Sequence, residues 1–461
     1  MTTDPQRLVI LGASGDLTTR LLLPGLGMLL ATDHDRHVEV WGVGRELLGP
    51  AAWGAKVGNA LVRGGCDEER ALAVVTASRY VQVDITEREG IESLLSELPD
   101  RDATVLYFAV PPAITRIACE HLSQCGDLGE LRLALEKPFG DSLAASREFN
   151  ALLACFRAEN QVFRVDHFLG DSQVLNLLAL RFANRLFEPI WSAAHVAKVE
   201  ILADETLALE GRAAYYDRAG ALIDMVQSHL LLVLALVTME EPARLDPRRV
   251  HDLMAHALSV TQVRDGDPVR ASRRARYTAG TSRERDVPAY RDEEGVDPDR
   301  NTETLVELDL EIANRRWSGV PIRLRSGKAL GADARRVVVT LRPVEFAPHG
   351  MGGYPPANVL TIHLNPDEIS VEIVTNQGGG RFRLGTANLE AAVGQTSLVP
   401  YAEVLAAVLD GNHLISVRGD IAEECWRICE PVIEAWRSGA VPMDEYPAGS
   451  GGPQHWQGAA G

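Results

Sequence analysis

"RLVILGASGDL" (residues 7–17) runs four apolar residues, Leu8 to Leu11, into Gly12-Ala13-Ser14-Gly15. "DLTTRLLLPGLGMLLA" (16–31) then resumes with helical spacing, with Pro24 expected to kink or break it. Strand, glycine turn and helix in that order make the first half of a βαβ unit. The turn is G-x-x-G and lacks the third glycine of the full dinucleotide fingerprint. Two glycines still let a backbone approach a pyrophosphate, and the following helix offers its positive end. The same pair also serves plain helix–strand packing, so both readings stand at this point. Gly12, Ser14, Gly15, Asp16 and Leu17 are the candidate contacts.

The pattern repeats outward from this turn. "HVEVWGVGR" (37–45), "ATVLYFAVPP" (103–112) and "LRLALEKPFG" (131–140) are further apolar strands separated by helical sequence. Such alternation gives an α/β, Rossmann-like, doubly wound N-terminal domain, with its ligand crevice at the strands' carboxyl ends. After residue 170 the period changes. "TLVELDLEI" (304–312) alternates apolar and acidic residues, and "VLTIHL" (359–364) and "ISVEIV" (369–374) are similar. The expectation is a dinucleotide-binding domain over 1–170, and over 171–461 an α+β domain with a large, mostly antiparallel sheet. Residues 264–301, charged and rich in Gly and Pro, read as an exposed loop region, and the tail "AGSGGPQHWQGAAG" (448–461) as frayed.

Composition excludes several functions. A net charge of −18 argues against nucleic-acid and anionic-membrane partners, which need a basic face. Six scattered cysteines contain no C-x-x-C pair, so buried free thiols are expected and no metal site. "MTTDPQRLVI" (1–10) lacks the regions of a signal peptide, and "LLLVLALVTM" (230–239) is half a bilayer span, so a cytoplasmic location is expected. Only four of the 46 basic residues are lysine: Lys56, Lys137, Lys198 and Lys328. A lysine in this chain therefore invites a functional reading.

Several residues carry chemistry. Arg45, after the second strand, suits the 2′-phosphate of NADP, while Glu46 keeps NAD open. Lys137 ends a strand and points toward the crevice. Asp166 and His167 in "RVDHFLG" (164–170) read as strand neighbours facing opposite ways, so a histidine base oriented by Asp166 must come from elsewhere. His229 is the candidate, beside Asp224, Gln227 and Ser228 in an otherwise apolar helix.

"LGASGDL", "YFAVPP", "EKPFG", "RVDHFLG", "LRFANRLFEPIW", "EGRAAYYDRAGALIDMVQSH", "RWSGVPIRLRSGK" and "YPAGSGGP", in this order along nearly the whole chain, resemble the glucose-6-phosphate 1-dehydrogenase family. The resemblance implies oxidation of a pyranose at C1 to the lactone, with hydride passing to NADP (NAD remaining possible). It implies His229 as general base and Asp166 as the carboxylate that orients it. Lys137, Glu205, Asp224 and Lys328 match sugar contacts, and His167 a phosphate ligand. Ser14, Arg45, Pro111, Lys137 and Pro138 match the cofactor side. A homodimer or homotetramer is implied.

Some positions depart from the family. Asp171 and Asp333 stand where the family has lysines, Phe168 where it has tyrosine, and Ser228 where it has asparagine. Lysines expected at Thr19 and Leu21 are also missing. Two cations of the family's phosphate pocket are thus anions here. Three readings follow: a glucose-6-phosphate dehydrogenase whose phosphate site is rebuilt with Arg212, Arg335 or Arg336; a dehydrogenase of an unphosphorylated or amino sugar; or a catalytically silent binding homologue.

Overall fold

The computed structural model describes residues 6–170, 172–211, 213–351, 354–365, 367–378, 383–393 and 398–456. These residues group into two units. One comprises 1–172 with 242–252 and 396–423; the other comprises 173–241, 253–395 and 424–461. Neither is a single continuous stretch of chain.

The first unit is built on six parallel strands: β1 Gln6–Leu11, β2 Val38–Gly44, β3 Arg79–Gln82, β4 Thr104–Phe108, β5 Arg132–Glu136 and β6 Val162–Val165. Their order in the sheet is β6-β5-β4-β1-β2-β3, and the short strand Ser416–Val417 pairs antiparallel with the outer edge of β6. β1 and β4 are neighbours although two other strands separate them in sequence. The chain therefore reverses direction across the sheet at the turn after β1, where such sheets bind their ligands. β1 and β4 are buried almost throughout, because parallel strands with helices on both faces have no solvent side.

Pro24 does not break the first helix. A π-helical turn, Thr18–Leu22, leads directly into the α-helix Leu23–Thr32, with the Leu23 N–H donating to Thr18 O. Pro24 then falls in the first turn of the α-helix, where a missing N–H costs least.

The second unit holds a ten-stranded sheet among the described residues. Its long strands include Val196–Asp204, Leu305–Ile312, Ile322–Gly327, Ala334–Leu341 and Asp367–Asn376. Pairing is antiparallel except that Ile322–Gly327 lies parallel to Val196–Asp204, and Met443–Pro447 parallel to Ser272–Thr278. The acidic side of Leu305–Ile312 is less exposed than its alternation suggests. Glu307 and Asp309 stand opposite Arg325 and Arg323 on the neighbouring strand and pair with them at 3.0 and 2.7 Å, which leaves Glu307 buried.

Two expectations fail here. The stretch 264–301 is not an exposed loop. It contains the strand Ser272–Thr278 and a small hairpin, and its Ala275, Tyr277 and Tyr290 belong to a buried cluster. Tyr446, Ala448 and Trp456 join that cluster, so the described part of the tail is packed, with the Trp456 Nε1–H donating to Asp444 at 2.8 Å. Gly and Pro here shape turns within a core; they do not mark solvent. The helix Tyr215–Thr238 has the length and apolarity to cross a bilayer, but 83% of its most apolar window is buried within the protein.

Candidate active site

In the first unit, the candidates gather along one edge because each follows the carboxyl end of a parallel strand. Gly12–Leu17 follow β1, Arg45 follows β2, Pro111 lies beyond β4, Lys137 and Pro138 follow β5, and Asp166 follows β6. Gly12 has φ +90, and a Cβ there would meet Ala109 O at 2.4 Å, so only glycine fits. Its N–H donates to Val43 O, and the Thr18 hydroxyl donates to its carbonyl at 3.1 Å. Lys56 stood out in the sequence only by the scarcity of lysine, with no particular role; its ammonium donates to Ala13 O and Ser14 O, both at 3.0 Å. It clamps the turn from the next helix, in a region where the family's own lysines are missing. Ser14 remains exposed, and Asp16 makes an exposed i,i+4 pair with Arg20.

Arg45 is largely exposed and lies 3.9 Å from Asp84. The backbone around it is held: Gln82 donates to Arg45 O and the Tyr80 hydroxyl to Glu46 O. Pro111 is the N-cap of the helix Pro112–Leu122. A half-buried two-glycine turn with Ser14 exposed, two helix N-termini and an exposed arginine on one edge fit a dinucleotide, whose pyrophosphate and ribose need N–H donors and a cation.

Asp166 does not lie on β6, which ends at Val165. It starts a turn in which its carboxylate accepts the Phe168 N–H at 2.8 Å and its carbonyl accepts from Leu169. Strand alternation therefore does not separate it from His167, and a carboxylate oxygen of Asp166 and a ring nitrogen of His167 lie within 4.8 Å. Asp166 is buried, and His167 is half-buried with its ring parallel to that of Tyr401 at 6.0 Å. Glu136, beside Lys137, accepts the Tyr107 hydroxyl at 2.5 Å and hydrogen-bonds Tyr401. Burial raises its pKa to about 7 despite those bonds and the Lys137 charge. Nothing near position 401 pointed to this site, which lies more than 200 residues along the chain from His167. Asp171 lies outside the described residues, as does Arg212.

In the second unit, Glu205 and Lys328 follow the ends of two parallel neighbours, Val196–Asp204 and Ile322–Gly327. The Glu205 carboxylate accepts from Lys328 at 2.7 Å and from Arg335 at 2.6 Å. Burial raises its pKa, but the two cations outweigh it and hold the group below its ordinary value. Asp333 accepts the Thr206 N–H at 2.7 Å and its hydroxyl at 3.0 Å, and pairs with Arg283 at 2.5 Å. Its charge is thus already balanced, and it fastens the loop after Glu205.

Asp224 and His229 lie in Leu222–Leu230, a π-helical stretch continuous with the α-helix Leu231–Thr238. Such wide turns recur at functional sites because they rotate side chains away from regular helical positions. His229 and Gln227 are buried, Asp224 hydrogen-bonds Tyr215, and the Ser228 hydroxyl donates to Asp224 O at 2.6 Å. Gly220 starts this segment with φ 65 and ψ 177, and a Cβ there would lie 2.3 Å from Glu303, which accepts the Leu222 N–H at 2.9 Å. Gly220→Ala is expected to destabilise the protein by about 3 kcal/mol or more, combining backbone strain with loss of a buried hydrogen bond. A urea midpoint within error of the wild type would refute this. Cys66, Cys119, Cys425 and Cys429 are buried, whereas Cys155 is exposed.

Comparison with known proteins agrees with this fold class. The model of the glucose-6-phosphate dehydrogenase NAD-binding domain matches residues 9–176, and that of the C-terminal domain matches 178–460. The glucose-6-phosphate 1-dehydrogenases of Treponema pallidum and Gluconobacter oxydans are 35% and 36% identical, each over 98% of this chain and 93% and 95% of their own lengths. The crystal structure of the Mycobacterium avium enzyme superposes with a TM-score of 0.86 at 29% identity, over 99% of this chain and 96% of that one. A glucose-6-phosphate dehydrogenase in complex with glucose-6-phosphate gives a TM-score of 0.88 at 28% identity, over 98% and 96%. With both family domains matched in order and nearly end to end, the chain belongs to the glucose-6-phosphate dehydrogenase family.

Proposed function

We propose that this protein oxidises glucose 6-phosphate at C1 to the lactone, using NADP. The observation that carries the reading is the match of glucose-6-phosphate 1-dehydrogenases along 98% of the chain; the roles given to His229, Asp166, Lys137, Glu205 and Asp224 rest on the motif resemblance of the sequence. Residues 1–170 hold the dinucleotide; residues 171–461 bind the sugar and associate into a homodimer or homotetramer. The location is cytoplasmic.

The roles follow from each group's chemistry. The turn Gly12–Leu17 would hold the pyrophosphate, Pro111, Lys137 and Pro138 would contribute further cofactor contacts, and the bound nicotinamide would supply the hydride acceptor. His229 takes the C1 hydroxyl proton, and Asp166 orients the imidazole and stabilises its charged form. Lys137, Glu205 and Asp224 hold sugar hydroxyls and fix C1. Lys328 joins the sugar contacts, and His167 serves the phosphate end, with Arg335 replacing a missing lysine. Asp333 suggested a neutral or cationic sugar, but its charge is taken up by Arg283 and Thr206, and the relatives at 35% and 36% identity are named glucose-6-phosphate 1-dehydrogenases. NADPH formation screened over glucose 6-phosphate, glucose and amino-glucoses tests the reading; a preference for an unphosphorylated sugar would overturn it.

NADP preference rests on Arg45. A charge-assisted pair with the 2′-phosphate is worth about 1.5–3 kcal/mol, so Arg45→Ala should raise the KM for NADP by about tenfold or more and leave NAD nearly unchanged. Equal losses for both cofactors would make Arg45 structural, and wild-type preference for NAD would point to Glu46.

A further inference from the structure

A cleft of about 510 Å³ opens in the second unit, lined by Arg218, Arg274, Arg300 and Arg437 with Glu303 and Trp436. Four guanidinium groups around one concavity stand out in a chain of net charge −18. Two of them are committed. Arg300 pairs with the buried Asp217 and with Asp297, and Arg274 donates twice to Val441 O while lying over the Trp436 ring at 5.5 Å. Arg218 and Arg437 are exposed and make no ion pair or hydrogen bond among the described residues. The two committed arginines form a rigid floor; the two others are free to close on a ligand.

We propose that this cleft is a second, non-catalytic binding site for a polyphosphate-bearing anion. Planar guanidinium groups grip phosphate oxygens in pairs, and several converging on one cleft suit a chain of phosphates better than a single carboxylate. The volume exceeds what one phosphate fills. The face of Trp436 is covered by Arg274 and its Nε1–H is given to Ser272 at 2.9 Å, so the cleft offers no open aromatic surface for a base. Recognition is therefore of the phosphates and not of a nucleoside. Glu303, the carboxylate of the wall, is pushed up to about 7 by burial, which reduces its repulsion of an anion. The cleft also includes Leu222 and Ile223, in the first turn of the segment that carries Asp224 and His229.

Calorimetric titration with tripolyphosphate, and separately with ATP, tests the proposal. The enzyme is first saturated with glucose 6-phosphate and NADPH, a pair that cannot react, so that the proposed active site is filled. Both probes are expected to bind with affinities within about threefold of each other and to raise the Tm. The double substitution Arg218→Ala with Arg437→Ala should weaken both by about tenfold or more, while the Tm of the probe-free protein and the KM for glucose 6-phosphate stay unchanged. Arg437→Glu, a surface charge reversal, should weaken them as well. Binding that vanishes once glucose 6-phosphate and NADPH are present, binding unaffected by these substitutions, or binding of ATP without tripolyphosphate would each overturn the proposal. Because the readout is heat and not turnover, failure here is distinct from failure of the proposed reaction.

Discussion

His229→Asn is expected to lower kcat by ~10²-fold or more with little change in cofactor affinity, because general-base catalysis is typically worth ~10²–10⁴. Asparagine is close to histidine in size and keeps a polar group at a position that is only 1% exposed, so the π-helical segment should persist. A lost base also removes the acid limb of the kcat–pH profile, which a merely loosened helix would not do. Asp166→Asn should act in the same direction and less strongly, because it removes the charge that stabilises the imidazolium but leaves the imidazole in place. A His229→Asn enzyme that keeps more than a third of wild-type kcat on glucose 6-phosphate, with its pH profile intact, would show that the base is another group.

Arg335→Ala should raise the KM for glucose 6-phosphate by about tenfold to a hundredfold, since a hydrogen bond to a charged partner is worth about 1.5–3 kcal/mol. The bare Coulomb figure for unit charges near 4 Å, about 4 kcal/mol at an effective dielectric of 20, is an upper limit here because the Arg335 side chain is 37% exposed. Activity on glucose, which has no phosphate, should barely change. Asp333→Lys is the informative partner experiment. Restoring the family's cation should not improve use of glucose 6-phosphate, because the substitution removes the acceptor for the Thr206 N–H and the partner of Arg283. If Asp333→Lys lowers that KM, or Arg335→Ala impairs glucose and glucose 6-phosphate equally, then Arg335 does not serve the phosphate and an altered substrate returns as the better reading.

The glycine turn, the alternation of strand and helix, and the change to antiparallel periodicity were all legible in the sequence. Each is a property of consecutive residues, recorded in spacing and local backbone demands. The carboxyl-end positions of Lys137 and Arg45 followed in the same way, since a strand's end is marked where its apolar run stops. Tertiary structure decided whatever depends on partners far apart in the chain. Tyr401 reaches Glu136 and His167 because residues 396–423 return to the first unit, and no local pattern encodes that return. Lys56 clamps a turn more than forty residues before it. The charge that made Asp333 look like a change of substrate is balanced by Arg283, fifty residues away. Asp166 was misplaced on a strand because strand ends vary by a residue or two, and one residue reverses the direction of a side chain. Periodicity reports which way a residue points within its own element, and only the fold determines what it meets there.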